Sequence, residues 1–297
     1  MKNQPSPSTV TPLTAQKASH RNPPKRPLLR YFGGKWQLRH WIISHFPSLQ
    51  FYAEPFAGAA SVLLAKEPAS GGEMLNDLNG DLINLFRVMK DESQAQKLRE
   101  KLKWTPYAHS EWMEARKDST TNPVTRAQNL LVRSFMSIQV AGTTSSGSGF
   151  RMGNVDLRRV DRSGKKTFRN CARDWENWKT ELEAIHQRLS QVMIYQRDAL
   201  DFISLMDSPN CLLYIDPPYH HRTRSQTRYT VEFTEHEKLV SRLLDCSAKI
   251  IISGYDCQAS RPLEEAGWER IEKPYRANMS KRRRTEILWR SPNCSAS

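Results

Sequence analysis

The chain has 297 residues, 38% of them hydrophobic, and its 45 Lys+Arg against 31 Asp+Glu leave a formal charge of +14. That length suits one large domain or a domain carrying an insertion, and the basic excess describes a surface that attracts polyanions. No apolar run approaches the ~20 residues of a membrane helix, the start MKNQPSPSTV offers no signal-peptide core, and the five cysteines (Cys171, Cys211, Cys246, Cys257 and Cys294) form no CxxC pair, which excludes a disulfide framework and a zinc ribbon.

Residues 1–27 hold six prolines, several Ser/Thr and Lys/Arg, and almost nothing to bury; they read as a disordered, weakly basic tail, with order beginning near Leu28. The stretch LQFYAEPFAGAASVLLAK (49–66) reads as a buried strand, a tight small-residue turn and a helix. EMLND (73–77) is a short strand, and LNGDLINLFRVMK (78–90) carries Leu78, Leu82, Leu85, Phe86 and Met89 at helical spacing. A strand, turn, helix, strand, helix order implies parallel strands. From about 100 to 190 the pattern changes. Helices over roughly 123–138 and 174–190 flank a Gly-, Ser- and Arg/Lys-rich stretch, 141–170, which cannot pack alone and reads as a segment ordered by a ligand. Strand signals return at VMIYQ (192–196), CLLYID (211–216) and AKIIIS (248–253). WERIEKPY (268–275) and TEILWR (285–290) bracket the basic turn RANMSKRRR (276–284) and read as an antiparallel hairpin at a sheet edge. The expected division is therefore an α/β domain from 28–100 and 190–291, a mainly helical insertion over 101–189, and tails at 1–27 and 292–297.

The most informative residues are Asp216-Pro217-Pro218-Tyr219, directly after the apolar strand CLLYI. A strand stopped by prolines would look the same, but two fixed proline φ angles also make a stiff corner. It presents a carboxylate, a free backbone carbonyl and an aromatic face at the carboxyl end of a parallel strand, where ligands of open α/β sheets sit. A planar ring bearing an NH2 group suits such a trio: the carboxylate and the Pro217 carbonyl accept its two N–H bonds, and Tyr219 stacks on its face.

Asp216–Tyr219 resembles the catalytic motif of amino-methylating DNA methyltransferases that use S-adenosylmethionine. Tyr31-Phe32-Gly33-Gly34-Lys35, Glu54-Pro55-Phe56-Ala57-Gly58 and Asn76-Asp77-Leu78-Asn79 with Asp81-Leu82 resemble, in that order, the cofactor motifs of the adenine-specific, Dam-like group. The resemblance runs in patches from about 28 to 290. It implies a Rossmann-like, S-adenosyl-L-methionine-dependent methyltransferase sheet, mostly parallel with a C-terminal antiparallel hairpin, and a helical target-recognition insertion. The implied reaction is site-specific methylation of the adenine amino group in duplex DNA after base flipping, with no metal. The same corner suits the cytosine-N4 amino group, an RNA adenine, or an inactive nucleic-acid-binding relic. Cofactor contacts are expected from Tyr31, Gly33, Gly34, Lys35, Glu54, Phe56, Gly58, Asp77, Asp198 and Asp216. The small residues Ala57, Gly58, Ala59 and Ala60 let backbone approach the ligand, although the family usually has a second glycine at the place of Ala60. Asp77, roughly 20 residues past Gly58, stands where dinucleotide folds hold ribose hydroxyls, and a helix N-cap is its other reading. Glu54 reads as facing the cationic side of the ligand or as an ordinary paired Glu.

DNA contacts are expected from Arg151, Arg158, Arg159, Lys165, Lys166 and Arg169 in the insertion, from Arg222, Arg224 and Arg228 in a lid after the catalytic corner, and from Lys281, Arg282, Arg283 and Arg284 in the hairpin turn. Sequence does not sort these into phosphate and base contacts. His220 and His221 lack a companion set with metal-ligand spacing. The expected partner is duplex DNA, with a cognate restriction endonuclease as a further candidate, and the expected form is a monomer in the cytoplasm, held to the nucleoid through DNA.

Overall fold

The computed structural model describes residues 23–117, 119–138, 149–152, 170–218, 233–276 and 283–295. Tyr219, Arg158, Arg159, Lys165, Lys166, Arg169, Arg222, Arg224, Arg228, Lys281 and Arg282 lie outside these residues, and of Arg283 only the backbone is included.

Five apolar stretches form parallel strands: β1 (Phe51–Glu54), β2 (Gly72–Asn76), β3 (Val192–Tyr195), β4 (Cys211–Ile215) and β5 (Lys249–Gly254). β6 (Glu269–Arg276) and β7 (Arg283–Arg290) pair antiparallel with each other, and β7 pairs antiparallel with β5. The order β3-β2-β1-β4-β5-β7-β6 is the expected Rossmann-like arrangement closed by a hairpin. β4 reads CLLYI and is buried along its whole length, as a strand covered on both faces must be.

Side-chain alternation splits that burial between two layers. Leu212, Tyr214, Ile251 and Leu288 join one core, and Leu213, Ile215, Ile250, Ile252 and Trp289 the other. The first core is shared with helices α1 (Arg39–Ile43), α2 (Ser61–Ala65), α3 (Gly80–Lys90), α4 (Glu92–Lys103), α5 (His109–Lys117), α6 (Pro123–Met136), α7 (Cys171–Lys179) and α8 (Leu182–Leu189). The second is covered by α9 (Ala199–Met206), α10 (His236–Leu244) and α11 (Arg261–Glu265). Helices α5 to α8 share the first core: Trp112, Trp175 and Trp178 pack in one cluster with Leu28, Leu29 and Tyr52.

Two expectations change here. The helix expected over 174–190 is two helices, broken where the Thr180 hydroxyl takes the Asn177 carbonyl at 2.9 Å, a local side-chain bond that competes with the helical ladder. The expected tails are also shorter than 1–27 and 292–297. Within residues 23–27 the Lys25 amide donates to Glu181 at 2.7 Å and the Pro27 carbonyl accepts from the Trp178 indole at 3.0 Å. At the other end, Cys294 is buried and the Asn293 amide donates to three carbonyls of residues 246–248.

At the sheet's amino-terminal side, Glu73 is buried between Arg188, whose second guanidinium nitrogen lies 2.8 Å away, and Lys66. Burial pushes the Glu73 carboxyl up, and the two cations outweigh it and hold the group below the ordinary value. Replacing Glu73 by Ala leaves two buried cations without their anion, so the variant should lose about 3–5 kcal/mol of stability, measured by urea denaturation.

Candidate active site

The chain runs outward from β1 to β2 and β3 on one side and returns to β4 and β5 on the other. The carboxyl ends of β1 and β4 therefore flank a topological switch point, where open α/β sheets form their ligand crevice. A cleft of about 820 Å3, its open mouth included, lies there and is lined by Tyr31, Gly33, Gly34, Lys35, Glu54, Phe56, Gly58, Asp77, Asp216 and Pro218 among others. The expected cofactor residues Tyr31, Gly33, Gly34, Lys35, Glu54, Phe56, Gly58, Asp77 and Asp216 are thus brought together from four separate stretches of sequence.

The loop after β1 is shaped by two left-handed residues, Gly58 and Ala60, both at φ +50°. A Cβ on Gly58 would stand 3.2 Å from the Tyr31 ring, so glycine is required there on two counts. Ala60 shows why a glycine is usual at its place: an L-residue in this conformation costs roughly 1–2 kcal/mol. The loop is stitched to β2. The Gly58 amide donates to Asp77 Oδ2 at 2.9 Å and the Asn79 amide to Asp77 Oδ1 at 2.8 Å. Asn76, fully buried, donates to the Pro55 and Arg197 carbonyls at 3.0 Å each and accepts from the Arg197 amide at 2.8 Å. Asp77 therefore anchors the glycine loop, and α3 is capped instead by Asn79, whose side chain accepts from the Asp81 amide at 3.0 Å. Burial raises the Asp77 carboxyl above its ordinary value, against the pull of the Asn79 and Gly58 amides.

Asp198 caps α9, accepting from the Leu200 amide at 2.8 Å. Its neighbours Arg197 and Ala199 line the cleft and Asp198, named among the expected cofactor contacts, does not.

At the end of β4 the Asp216 carboxylate is one-fifth exposed and receives two donors on Oδ1: Lys35 Nζ at 2.7 Å and Ser253 Oγ at 3.0 Å. Lys35 Nζ also stands 3.4 Å from Glu286 of β7 and donates to the Gly33 carbonyl at 3.1 Å. Lys35, one of the expected cofactor contacts, lines the cleft and also grips the Asp216 carboxylate. Pro218 lines the cleft, whereas Pro217 lines a second hollow on the other side of the corner, with His236, Tyr255 and Trp289. Phe233 lines the same cleft as Pro218, edge-on to Phe56 at 5.1 Å between centroids. Ser61, Tyr214, Ser253 and Glu286 escaped sequence reasoning. A serine near the end of β5 or a glutamate within β7 is a weak signal, and their partners Asp216 and Lys35 lie far away in the chain.

Of the expected DNA contacts, Arg284 donates to the Tyr255 hydroxyl at 3.2 Å, and that hydroxyl pairs with Tyr275 at 2.9 Å. Arg151 is half-buried at the root of the 153–169 stretch, its amide bonded to the Met136 carbonyl and its carbonyl to the Tyr107 hydroxyl.

Glu54 is the electrostatic outlier. Its Oε1 accepts from the Tyr52 hydroxyl and the Leu63 amide, each at 2.8 Å. Burial nonetheless raises its carboxyl to about 8, with the negative Asp216 adding to the effect. The folded group binds its proton more tightly than the unfolded one, whose ordinary value is 4.5. Stability should then be greatest below that value and fall as pH rises towards 8, with a slope of at most about 1.4 kcal/mol per pH unit. Glu54→Gln keeps the acceptor oxygen and removes the titration. Its melting temperature should exceed that of the parent protein at pH 8.5 and match it near pH 4.5, checked by melts across that range.

A profile of D12 class N6 adenine-specific DNA methyltransferases matches residues 31–275. The DNA adenine methylase of Vibrio cholerae serotype O1 (strain ATCC 39315 / El Tor Inaba N16961) is 39% identical over 71 residues, 24% of this chain and 25% of that protein. Those of Serratia marcescens and Escherichia coli strain K12 are 40% and 38% identical over 65 residues, 22% of this chain and 23% of each relative. The aligned stretch spans about a quarter of the length of these curated relatives. The profile, by contrast, runs from the Tyr31 loop through the glycine loop and the Asp216 corner to the end of β6, and the chain belongs to the D12 class N6 adenine-specific DNA methyltransferase family.

Proposed function

We propose that this protein transfers a methyl group from S-adenosylmethionine to the N6 amino group of an adenine in duplex DNA, with the target base turned out of the helix. The observation that carries the reading is the placement of Asp216: it stands at the rim of the cleft lined by Gly58 and Asp77, held there by Lys35 and Ser253.

The residues of the cleft fit the cofactor. Gly58 leaves room that any side chain would fill, and Ser61 Oγ is buried on the cleft wall with no hydrogen-bond partner among the described residues. Burial and the neighbouring Asp216 disfavour the ionised form of Glu54, and a cationic ligand beside it would lower that cost. Glu54 would hold the charged end of the ligand, the Tyr31–Lys35 loop would cover it, and Asp77 would meet the ribose with whatever acceptor capacity the two amides leave. Bound there, S-adenosylmethionine supplies an electrophilic methyl carbon, to which the amino nitrogen gives its lone pair as the carbon–sulfur bond breaks and its electrons stay on sulfur.

The chain's own residues do the rest. Reaching a ring amine requires taking the base out of the stack, at a cost of a few kcal/mol. Asp216 and the Pro217 carbonyl accept the two N–H bonds, drawing the nitrogen out of conjugation so that its lone pair is available. The nitrogen then sheds one proton, to Asp216 or to water. Positioning and electrostatics supply most of the rate.

Expression in a host lacking adenine methylation, followed by single-molecule sequencing, should reveal N6-methyladenine at one sequence context; unmodified DNA or methylated cytosine would overturn the reading. Asp216→Ala should lower methyl transfer by roughly two orders of magnitude or more, with S-adenosylmethionine binding still measurable by calorimetry. With a formal charge of +14, DNA affinity should fall steeply with salt, and a flat response in a filter-binding titration would contradict a phosphate-dominated footprint.

A further inference from the structure

Strand alternation puts Tyr214 and Asp216 on one face of the β4 line, and the register Tyr214↔Ile251 puts Ser253 beside Asp216 on that same face. The result is a row of polar groups along a strand pair that is otherwise apolar. The Tyr214 hydroxyl donates to Ser253 Oγ at 3.1 Å, and Ser253 Oγ donates to Asp216 Oδ1 at 3.0 Å. Tyr214 is 3% exposed and Ser253 1%. Burying two hydroxyls is costly unless each finds a partner, and phenylalanine and alanine would fill the same core without that cost. What the hydroxyls gain is a charge-assisted bond at the end of the row.

The row has a directional consequence. Lys35 Nζ meets the same oxygen, Oδ1, at 2.7 Å. Both donors that Asp216 receives thus converge on one carboxylate oxygen, and no hydrogen bond falls on Oδ2 among the described residues. A carboxylate held at one oxygen from two directions cannot turn about its Cβ–Cγ bond without breaking both contacts. We propose that Tyr214 and Ser253 are positioning residues for methyl transfer: through the row Tyr214–Ser253–Asp216 they fix the carboxylate so that Oδ2 is the oxygen that accepts the substrate amine. This rests on the reading of Asp216 given under Proposed function. The orientation matters only once the amine is in place, so its loss falls on the methyl-transfer rate rather than on cofactor affinity.

The test is a single-turnover assay with labelled S-adenosylmethionine and genomic DNA from a host lacking adenine methylation. Ser253→Ala should lower the rate roughly ten- to a hundredfold, the range expected for losing a bond to a charged group, while the S-adenosylmethionine dissociation constant stays within about twofold. Ser253→Thr, which returns the hydroxyl, should recover at least half of that loss on a logarithmic scale. Tyr214→Phe keeps the ring and strips the outer donor; it should show a smaller loss in the same direction and serves as the deciding variant should a thermal melt show Ser253→Ala unfolded. A Ser253→Ala rate within twofold of the parent, or a fall in cofactor affinity that matches the fall in rate, would overturn the proposal while leaving the methyltransferase reading intact. A parent protein that transfers no methyl group to this DNA would overturn that reading first.

Discussion

An ammonium group almost sealed from water needs anionic company, and at Lys35 this need organises the site. The residue is 5% exposed and is met by Asp216 of the β4 corner, Glu286 of β7 and the carbonyl of Gly33 in its own loop. One cation therefore fastens the loop that begins at Tyr31 to the central strand and to the hairpin. The loop cannot leave without breaking the contacts of a buried ammonium, which ties the wall of the cleft to the carboxylate at its rim. The rest of the site follows this anchor: the Oδ1 oxygen of Asp216 is committed to it, and Ser253 adds a second hold on the same atom.

The electrostatics of the molecule act on two scales. The chain as a whole is positive by 14 charges, yet the cleft gathers Glu54, Asp77 and Asp216, with Glu286 close behind Lys35. Screening at physiological ionic strength limits exposed charges to a reach of about 8 Å, so the two fields coexist. The broad positive field speaks to a polyanion approaching from outside, and the local carboxylates speak to a small cation that has already entered. Glu54 shows the tension of the local cluster, because burial and Asp216 together push its carboxyl to about 8.

Much of this was legible in the sequence because it is local. Apolar runs bounded by turn residues mark the seven strands among the described residues, and the small residues 57–60 and the proline pair 217–218 mark the two corners of the cleft. What stayed hidden depends on long-range partners or on competition between nearby bonds. Lys35 meets Asp216 across 181 residues and Tyr214 reaches Ser253 across 39, separations at which no periodicity carries information. Asp77 and Asn79 show the opposite failure: two side chains close together could each have capped α3, and the amide of Gly58 decided for Asn79 by engaging Asp77. Asp198 reads as a ligand by position and serves as a helix cap because two amides lie within its reach.

Among the described residues, helices α5 to α8 bear on the site through packing. A polypeptide that leaves and re-enters a sheet domain can fold on its own core or borrow one, and here Trp175 and Trp178 stack at 5.2 Å within the cluster that holds Leu28, Leu29 and Tyr52. Arg30 crosses the same boundary. Its guanidinium donates to the Phe135 and Ser137 carbonyls at 3.2 Å each, at the end of α6, and its backbone amide donates to Ser134 Oγ at 2.8 Å. The next residue, Tyr31, is already in the wall of the cleft. A hinge needs a boundary that few contacts cross, and this one is crossed by buried tryptophans and by the strap from Lys25 to Arg30. The helices and the wall of the cleft therefore share one packed body, joined at the carboxyl end of α6 by the hydrogen bonds of Arg30.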